Sequence, residues 1–412
     1  MTTLNRREFG ALALAITTRV RASAAADVLG DVLRESANRR LIPAVAAIVA
    51  TSGKTLWSGA TGKRDTKSGV AVKPDSIFYI ASMTKAITTT AALQLVEQGK
   101  VTLHEPLAKF FPELGKLDVL TGFDKDKKPI VRPATKPITL HHLLTHTSGF
   151  AYDTWEGNMF KYDTYTGAIL KPQTVAPLTP LVFEPGTRWQ YGTSVDWAGK
   201  LVEKISGLTL EQYFQRNILQ PLGMKDTSFI LGPDKFDRLV STWRKQPDGI
   251  LKEDPRAQPA PPVAYNGGGG LYSTGPDYVK FMQMILQKGR GPGKAPILSE
   301  KTVAMMGTNQ IGDLSAGRLT SYRKDRSSDV DLHPGFRDKW GYGFLINTVD
   351  YPGGRSTGSL AWAGVENTFY WIDPRRDLCA AVMMQYFPFV DDQAVGLLGD
   401  FEKAVYTTVP KT

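Results

Sequence analysis

The sequence predicts an α/β fold in which helices flank an antiparallel sheet and a smaller, mainly helical domain is inserted. Strand patterns lie at both ends of the chain, whereas helical patterns and irregular segments lie between them. The strands follow one another through short turns, and strands joined in this way pair antiparallel. We therefore expect residues 27–90 and 191–412 to form a discontinuous α/β domain, with a loop-rich helical domain at 91–190.

The elements follow from periodicity and from turn residues. Apolar residues at helical spacing, ended by glycine, indicate helices, and short apolar runs bounded by turn residues indicate strands. Helices are expected at 27–39, 84–98, 194–207, 210–223, from 276 and at 391–406; strands are expected at 44–50, 54–62, 359–364, 367–372 and 378–386. Residues 121–180 show no strong period and are expected to be irregular.

The first 26 residues are typical of an export signal. Arg6 and Arg7 precede a short apolar run, and the small residues Ala22 to Ala24 follow it. This order matches a signal with a cleavage site, and paired arginines resemble a twin-arginine signal. We therefore expect a periplasmic or secreted protein, with a disordered basic tail as the alternative.

The composition is that of an ordinary globular protein. It has 412 residues, 42% hydrophobic, and a formal net charge of +10, which falls to +7 without the first 26 residues. A basic cluster at 124–136 lacks stacking aromatics, so a solvated loop is favoured over a nucleic-acid surface. No run approaches the roughly 20 apolar residues that a membrane span needs, so no stable membrane insertion is expected.

Cysteine and histidine usage favours neither a disulfide nor a metal site. Cys379 is the single cysteine, and its apolar surroundings predict a buried position. His141, His142 and His146 lie close in sequence, but no cysteine or carboxylate completes a ligand set. We expect no metal and no cofactor, and His146 is expected to form local hydrogen bonds.

Ser82 and Lys85 are the first candidates for chemistry. They lie three residues apart at the start of a predicted helix and so share one face. A serine hydroxyl is a poor nucleophile until a base takes its proton, and a neutral lysine one turn away can do so. The motif alone is weak, because a helix-capping serine beside a solvated lysine explains it equally well.

Three further motifs change that balance. HLLTHTSGF, the YGT that begins at Tyr191, and the SLAWAG strand follow Ser82-Met-Thr-Lys85 in this order. Together they resemble the serine β-lactamase and penicillin-recognising superfamily, and the chain is most similar to family VIII carboxylesterases, which are related to class C β-lactamases. The segment 191–203 is also similar to fungal statin side-chain acyltransferases. The resemblance spans nearly the whole chain after residue 26 and implies a β-lactamase-like fold.

The resemblance implies roles for three residues. Ser82 would be the nucleophile that becomes acylated, and Lys85 its hydrogen-bonded partner and base. Tyr191 would take the place of the tyrosine in the family's Tyr-x-Asn motif and relay the proton to the leaving group.

The resemblance also assigns the substrate-binding side. Trp362 to Gly364 aligns with the Lys-Thr-Gly strand of β-lactamases, and the N–H of Val365 would form an oxyanion hole with that of Ser82. Tyr152 is a candidate for the wall of the acyl pocket.

Two departures from the β-lactamase pattern bear on substrate. Thr193 stands where β-lactamases usually have Asn, and Trp362 stands where they have Lys. The missing lysine would bind a carboxylate, whereas a tryptophan there favours an uncharged, apolar acyl or alcohol group. Both departures argue against β-lactam turnover and favour neutral small-molecule esters.

Two other motifs are rejected as active sites. Gly354 to Gly358 fits G-x-S-x-G, but it precedes a predicted strand, whereas the α/β-hydrolase elbow precedes a helix; Ser356 is therefore expected in a turn. The tetraglycine at 267–270 lacks the Gly-Lys-Ser/Thr ending of a phosphate loop, and close backbone packing near the active site is favoured.

The sequence therefore predicts a serine carboxylesterase. An acyltransferase with an alcohol acceptor stays open, as do a D,D-peptidase or β-lactamase and a protein that binds without turnover. The natural ester and the oligomeric state are left open.

Overall fold

The structure, a computed structural model, describes residues 28–170 and 175–410, and the predicted export segment lies outside the described residues. Its helices are α1 (28–39), α2 (Thr84–Glu97), α3 (Leu140–Leu144), α4 (Gly157–Thr166), α5 (Ser194–Ser206), α6 (Leu210–Phe214), α7 (Gln220–Leu222), α8 (Pro233–Phe236), α9 (Gly275–Leu286), α10 (Glu300–Met306) and α11 (Asp392–Thr408). Its strands are β1 (Ala44–Ala50), β2 (Thr55–Gly62), β3 (Phe78–Tyr79), β4 (Asp118–Phe123), β5 (Pro129–Pro133), β6 (Trp243–Lys245), β7 (Leu251–Glu253), β8 (Tyr272–Ser273), β9 (Lys339–Trp340), β10 (Leu345–Ile346), β11 (Leu360–Gly364), β12 (Thr368–Asp373), β13 (Leu378–Met383) and β14 (Tyr386–Phe387).

The main sheet has seven strands in the order β2-β1-β13-β12-β11-β10-β9, and every neighbouring pair is antiparallel. Strands from the two ends of the chain therefore meet where β1 pairs with β13, with Ile48 opposite Ala381. All residues of β1, β11, β12 and β13 are buried, as continuous apolar runs predict. The predicted α/β class and antiparallel sheet are confirmed.

Helices cover both faces of this sheet. On one face α9 packs on β1 and β13, and Tyr278 contacts Tyr370 of β12 with ring centroids 5.0 Å apart. On the other face Phe401 of α11 contacts Trp57 of β2 at 5.5 Å. Alternate residues of a strand point to opposite faces, so the sheet is the central layer of the core.

A second group of helices lies beside the sheet. The helices α2, α3, α5 and α6 pack on one another. The predicted domain boundaries at residues 90 and 190 stay predictions. Residue 90 falls inside α2, and α5, which follows residue 190, packs on α2.

The segment 121–180 contains more regular structure than expected. The strands β4 and β5 form a hairpin whose turn carries the basic cluster, and α3 and α4 follow. Short elements with little apolar surface give no clear periodic signal, which explains the difference.

Two further expectations concerned the cysteine and membrane spans. Cys379 is buried and unpaired, as expected. None of the helices within residues 28–170 and 175–410 is long and apolar enough to cross a membrane.

Candidate active site

Ser82 lies on a single 3-10 turn, Ala81–Met83, that leads directly into α2. Ala81 has φ of +43°, a left-handed conformation that reverses the chain between β3 and the turn. Ser82 is half-buried and its hydroxyl does not cap the helix. Ser82 is therefore not an ordinary N-cap residue in this structure.

The amine of Lys85 lies at the centre of the candidate site. The residue is 1% exposed, and its Nζ lies 3.1 Å from Ser82 Oγ and 3.3 Å from the hydroxyl of Tyr152. Nζ also donates to the carbonyl oxygen of Gly268. A carbonyl can only accept, whereas the two hydroxyls can donate or accept. A neutral amine can therefore donate to Gly268 and still accept the proton of Ser82.

The tetraglycine segment packs beneath Ser82, as close backbone packing predicts. A methyl group on Gly269 would lie 3.2 Å from the backbone carbon of Ala81, and one on Gly267 would lie 2.9 Å from the carbonyl oxygen of Val195. Side chains at these positions would push the carbonyl of Gly268 away from Lys85.

The two tyrosines of the site have different partners. Tyr191 lies with its ring centroid 4.7 Å from Lys85 Nζ, but its hydroxyl accepts a 3.0 Å hydrogen bond from Trp362 Nε1. Within the described residues, Tyr152 is therefore the tyrosine whose hydroxyl bonds Lys85. Desolvation, followed by the charge of Asp196, raises the pKa of Tyr152 well above its usual range. The proton-relay role of Tyr191 stays a prediction.

Strand β11 supplies the opposite wall. Val365 and Trp362 line the same crevice as Ser82. Gly364 lies so close to the residue before the turn that a methyl group there would be 2.4 Å from the carbonyl oxygen of Ile80. Glycine thus permits the close approach of Val365 to Ser82, which the predicted oxyanion hole needs.

Two neighbouring cavities lie at the site, and Ser82 lines one of them. The inner cavity, about 290 Å³, is lined by Ser82, Gly268 and Val365, and the outer cavity, about 410 Å³, lies towards α4. Tyr152, Asp153, Arg244 and Arg326 line both cavities and so form the wall between them. We call residues 81–85, Tyr152, 267–270 and 362–365 the floor of the site, and Asp153, Arg244, Arg323 and Arg326, which line the outer cavity, its rim.

A family profile described as Beta-lactamase matches residues 29–402. The chain belongs to the beta-lactamase family. Its predicted β-lactamase-like fold is thereby confirmed.

The relatives include both hydrolases and transferases. Lovastatin esterase of Penicillium rubens is 32% identical, with 88% of this chain and 94% of its own length aligned. A monacolin J acid methylbutanoyltransferase of Aspergillus terreus is 33% identical over 93% of this chain and 97% of its own. Among solved structures, unliganded simvastatin synthase from Aspergillus terreus matches with a TM-score of 0.80 at 28% identity, covering 94% of this chain and 99% of its own.

One buried carboxylate near Lys85, that of Asp196, was not predicted from the sequence. Asp196 on α5 is 1% exposed, and its Oδ1 accepts a 2.7 Å hydrogen bond from the N–H of Gly268. Desolvation raises its pKa to about 6, against the opposing effects of the Lys85 charge and the Gly268 N–H. An acidic residue inside an otherwise apolar helix face was the signal that could have found it.

The expectation for His146 is wrong. Its ring is fully buried, and neither nitrogen has a hydrogen-bond partner among the described residues. The ring packs on aromatic side chains instead, with centroids 4.7 Å from Tyr191 and 5.2 Å from Trp340. Desolvation, followed by the charge of Lys85, lowers its pKa well below the usual range, so the imidazole is neutral.

The rejected G-x-S-x-G motif lies in a turn before β11, as expected. The N–H of Ser356 donates to a carboxylate oxygen of Asp373 at 2.9 Å, and Arg355 forms a buried ion pair with Glu402. These contacts give the segment a structural role.

Proposed function

We propose that this chain is a serine carboxylesterase that forms an acyl-enzyme on Ser82, and we place it with family VIII carboxylesterases. The observation that carries the proposal is the 3.1 Å contact between Ser82 Oγ and a buried Lys85 Nζ at a cavity. Membership in a family with esterase relatives supports it. In the wider family the same serine chemistry serves several carbonyl substrates, so the reaction class is acyl transfer.

Acylation begins when Ser82 Oγ attacks the ester carbonyl and Lys85, acting as the base, takes the hydroxyl proton. The N–H groups of Ser82 and Val365 would stabilise the resulting oxyanion, each worth on the order of 3 kcal/mol. The tetrahedral intermediate then expels the alcohol, which leaves with the proton from Lys85. A tyrosine beside Lys85 would carry that proton, and Tyr152 and Tyr191 are the two candidates.

Deacylation repeats these steps with water as the nucleophile. Lys85 takes a proton from water, hydroxide adds to the acyl carbonyl, and Ser82 leaves and regains its proton. The products are a carboxylic acid and the free enzyme.

An alcohol acceptor in place of water would make the chain an acyltransferase. This second candidate is supported by the relative that is named a methylbutanoyltransferase. The floor of the site serves both reactions equally, because they share the acyl-enzyme.

Trp362 favours esters over β-lactams and peptidoglycan peptides. Its Nε1 is bound to Tyr191, and its indole replaces the cation that would hold a carboxylate at that position. A penicillin-derived label on Ser82 would favour the rival proposal of a β-lactamase or D,D-peptidase.

The first test is hydrolysis of p-nitrophenyl butyrate by the wild type and by Ser82→Ala. We expect the variant to lose at least about 10³-fold in kcat, because no other group replaces the nucleophile. Ser356→Ala is the matched control and should retain wild-type turnover. Retained activity in Ser82→Ala would refute the assignment.

Further measurements separate the remaining alternatives. Ester formation from an added alcohol, measured by product analysis, identifies the acyltransferase. Failure of an active-site serine probe to label the folded wild type would favour a protein that binds without turnover.

The export proposal rests on residues 6–24 alone. Paired arginines, an apolar run and a small-residue site support transport of the folded enzyme out of the cytoplasm. Replacing Arg6 and Arg7 with lysine should retain the protein inside cells, which fractionation measures.

A further inference from the structure

The cations that line the two cavities differ in whether a carboxylate neutralises them. Arg323 pairs with Asp153 at 3.0 Å and with Asp325 at 3.2 Å. Arg244 pairs with Asp254 at 2.8 Å and lies over the ring of Phe387. Both guanidinium groups are therefore already occupied by side chains of the protein.

Arg326 is different. It lines both cavities and is half-buried, yet its side chain has no ion pair or hydrogen bond to any residue of the described chain. Tyr152, whose hydroxyl contacts Lys85, lines the same two cavities as Arg326. A guanidinium presents five N–H donors, and water or a ligand must satisfy them here.

The backbone holds Arg326 in place. Its N–H donates to the carbonyl oxygen of Arg323 and its own carbonyl accepts from the N–H of Phe389, both at 2.9 Å. The neighbouring Ser327 accepts a 3.0 Å hydrogen bond from Trp155 Nε1, and Trp155 lines the crevice with Ser82. The side chain thus extends from an anchored segment rather than from a free loop.

The carboxylates around the inner cavity are also accounted for. Asp153 is bound to Arg323, and Glu366 accepts hydrogen bonds from Thr242 and Gln385. Asp163 lacks an ion pair within the described residues, but it lines only the outer cavity. Glu366 has no ion pair within the described residues, and Arg326 is the arginine of the two cavities that no carboxylate of these residues holds in an ion pair.

We propose that Arg326 binds a carboxylate of the substrate, carried either by the acyl group or by the alcohol part of the ester. This inference rests on the proposed esterase function and narrows its substrate class to anionic esters. An arginine binds carboxylates through two parallel N–H···O bonds, which fixes orientation as well as affinity. The inference revises the expectation of neutral esters, which is kept only for the group that contacts Trp362, because Arg326 does not line the crevice that Trp362 shares with Ser82.

The test compares three esters at the same ionic strength. p-Nitrophenyl butyrate is neutral, the mono-p-nitrophenyl ester of glutaric acid carries a carboxylate on the acyl side, and 4-butyryloxybenzoate carries one on the alcohol side. We expect wild-type kcat/KM to favour one anionic ester over the neutral one. Which ester is favoured identifies the side that faces Arg326.

Arg326→Gln should lower the ratio of anionic to neutral kcat/KM by about tenfold or more, as expected for a lost charged hydrogen bond. Arg326→Lys should recover part of the ratio of anionic to neutral kcat/KM. Lysine keeps the positive charge but cannot form the two parallel hydrogen bonds of a guanidinium. Arg318→Gln is the matched control. It removes the same charge from an exposed arginine that lies outside the rim and lines neither cavity, so the ratio should stay at the wild-type value.

Binding to the Ser82→Ala variant tests the inference without turnover. Calorimetry should show that the favoured anionic ester binds about tenfold more weakly when Arg326→Gln is added, and not when Arg318→Gln is added. Equal ratios and equal affinities in the Arg326 and Arg318 variants would overturn the inference. The esterase proposal would survive that result if wild type still hydrolyses the neutral ester and Ser82→Ala does not.

Discussion

The floor and the rim of the site differ in whether their charged side chains have partners within the protein. On the floor, Lys85 is 1% exposed and meets three oxygen partners, and glycines allow backbone segments to touch. On the rim, Arg326 is half-buried and its side chain bonds no residue of the described chain. The floor satisfies its polar groups internally, whereas the rim leaves a charge for something else to satisfy.

This difference separates chemistry from selectivity. Proton transfer requires heavy atoms held within hydrogen-bond distance, which a packed helix and sheet provide. Substrate choice requires groups that are free until the substrate arrives, which a segment at the cavity mouth provides. Changes to the floor should therefore affect all esters, and changes to the rim should affect them selectively.

After Ser82→Ala, the largest effect should come from removing the tyrosine hydroxyl that contacts Lys85. Tyr152→Phe removes the hydroxyl 3.3 Å from Nζ, and we expect kcat to fall by about 10²-fold or more for every ester. Tyr191→Phe removes the partner of Trp362 Nε1 and should cost less in this geometry. Kinetics of both variants on p-nitrophenyl butyrate provide the measurement.

A larger loss of kcat in Tyr191→Phe than in Tyr152→Phe would favour Tyr191 as the proton relay, the role that the family resemblance implies. It would mean that the Tyr191 hydroxyl leaves Trp362 and turns towards Ser82 when substrate binds. Because both substitutions keep the ring, circular dichroism should show an unchanged fold in each.

A smaller effect should follow from adding one methyl group to the floor. In Gly364→Ala the new carbon would lie 2.4 Å from the carbonyl oxygen of Ile80 and 2.3 Å from Thr368 Oγ1. Backbone atoms cannot move aside as a flexible side chain can, so we expect about 1–3 kcal/mol of lost stability and reduced kcat. Urea unfolding and ester turnover measure the two effects.

Gly399→Ala is the matched control for that change. Gly399 lies within α11, and a methyl group there would contact nothing within 4 Å. Alanine favours a helix by about 1 kcal/mol over glycine, so this variant should be as stable as wild type or more so. Similar losses of stability in both variants would show that the close approach of β11 to the 3-10 turn does not explain the effect of Gly364→Ala.

Much of the fold could be predicted because its strands and long helices have strong local patterns. The three C-terminal strands and α2 are continuous apolar or periodic runs that end at turn residues. The β4–β5 hairpin was missed because its exposed residues, among them Ile130 and Val131, break the alternation expected of a half-buried strand.

Contacts within the site could be predicted from the sequence only between residues that are close together along the chain. Ser82 and Lys85 are three residues apart on one helix, so their contact follows from helix geometry. The contact of Lys85 with Tyr152 joins residues 67 positions apart, and no local pattern reports it. His146 shows the same limit, since the motif that contains it does not reveal that aromatic rings surround it.

The smallest effect expected concerns the electrostatics beneath the floor. The pKa of Asp196 is raised to about 6 from a usual value of 3.8, chiefly by desolvation, so between these values the native state binds a proton more tightly than the unfolded chain. The contribution of Asp196 to the free energy of unfolding therefore falls as pH rises through this window. Asp196→Asn has no proton to lose, and its amide oxygen can still accept from the Gly268 N–H. We expect its stability relative to wild type to increase between pH 4 and pH 7, measured by urea unfolding, whereas Asp313→Asn at an exposed position should show no such trend. A difference between Asp196→Asn and wild type that stays constant with pH would show that Asp196 is ionised throughout, held so by Lys85 rather than neutralised by burial.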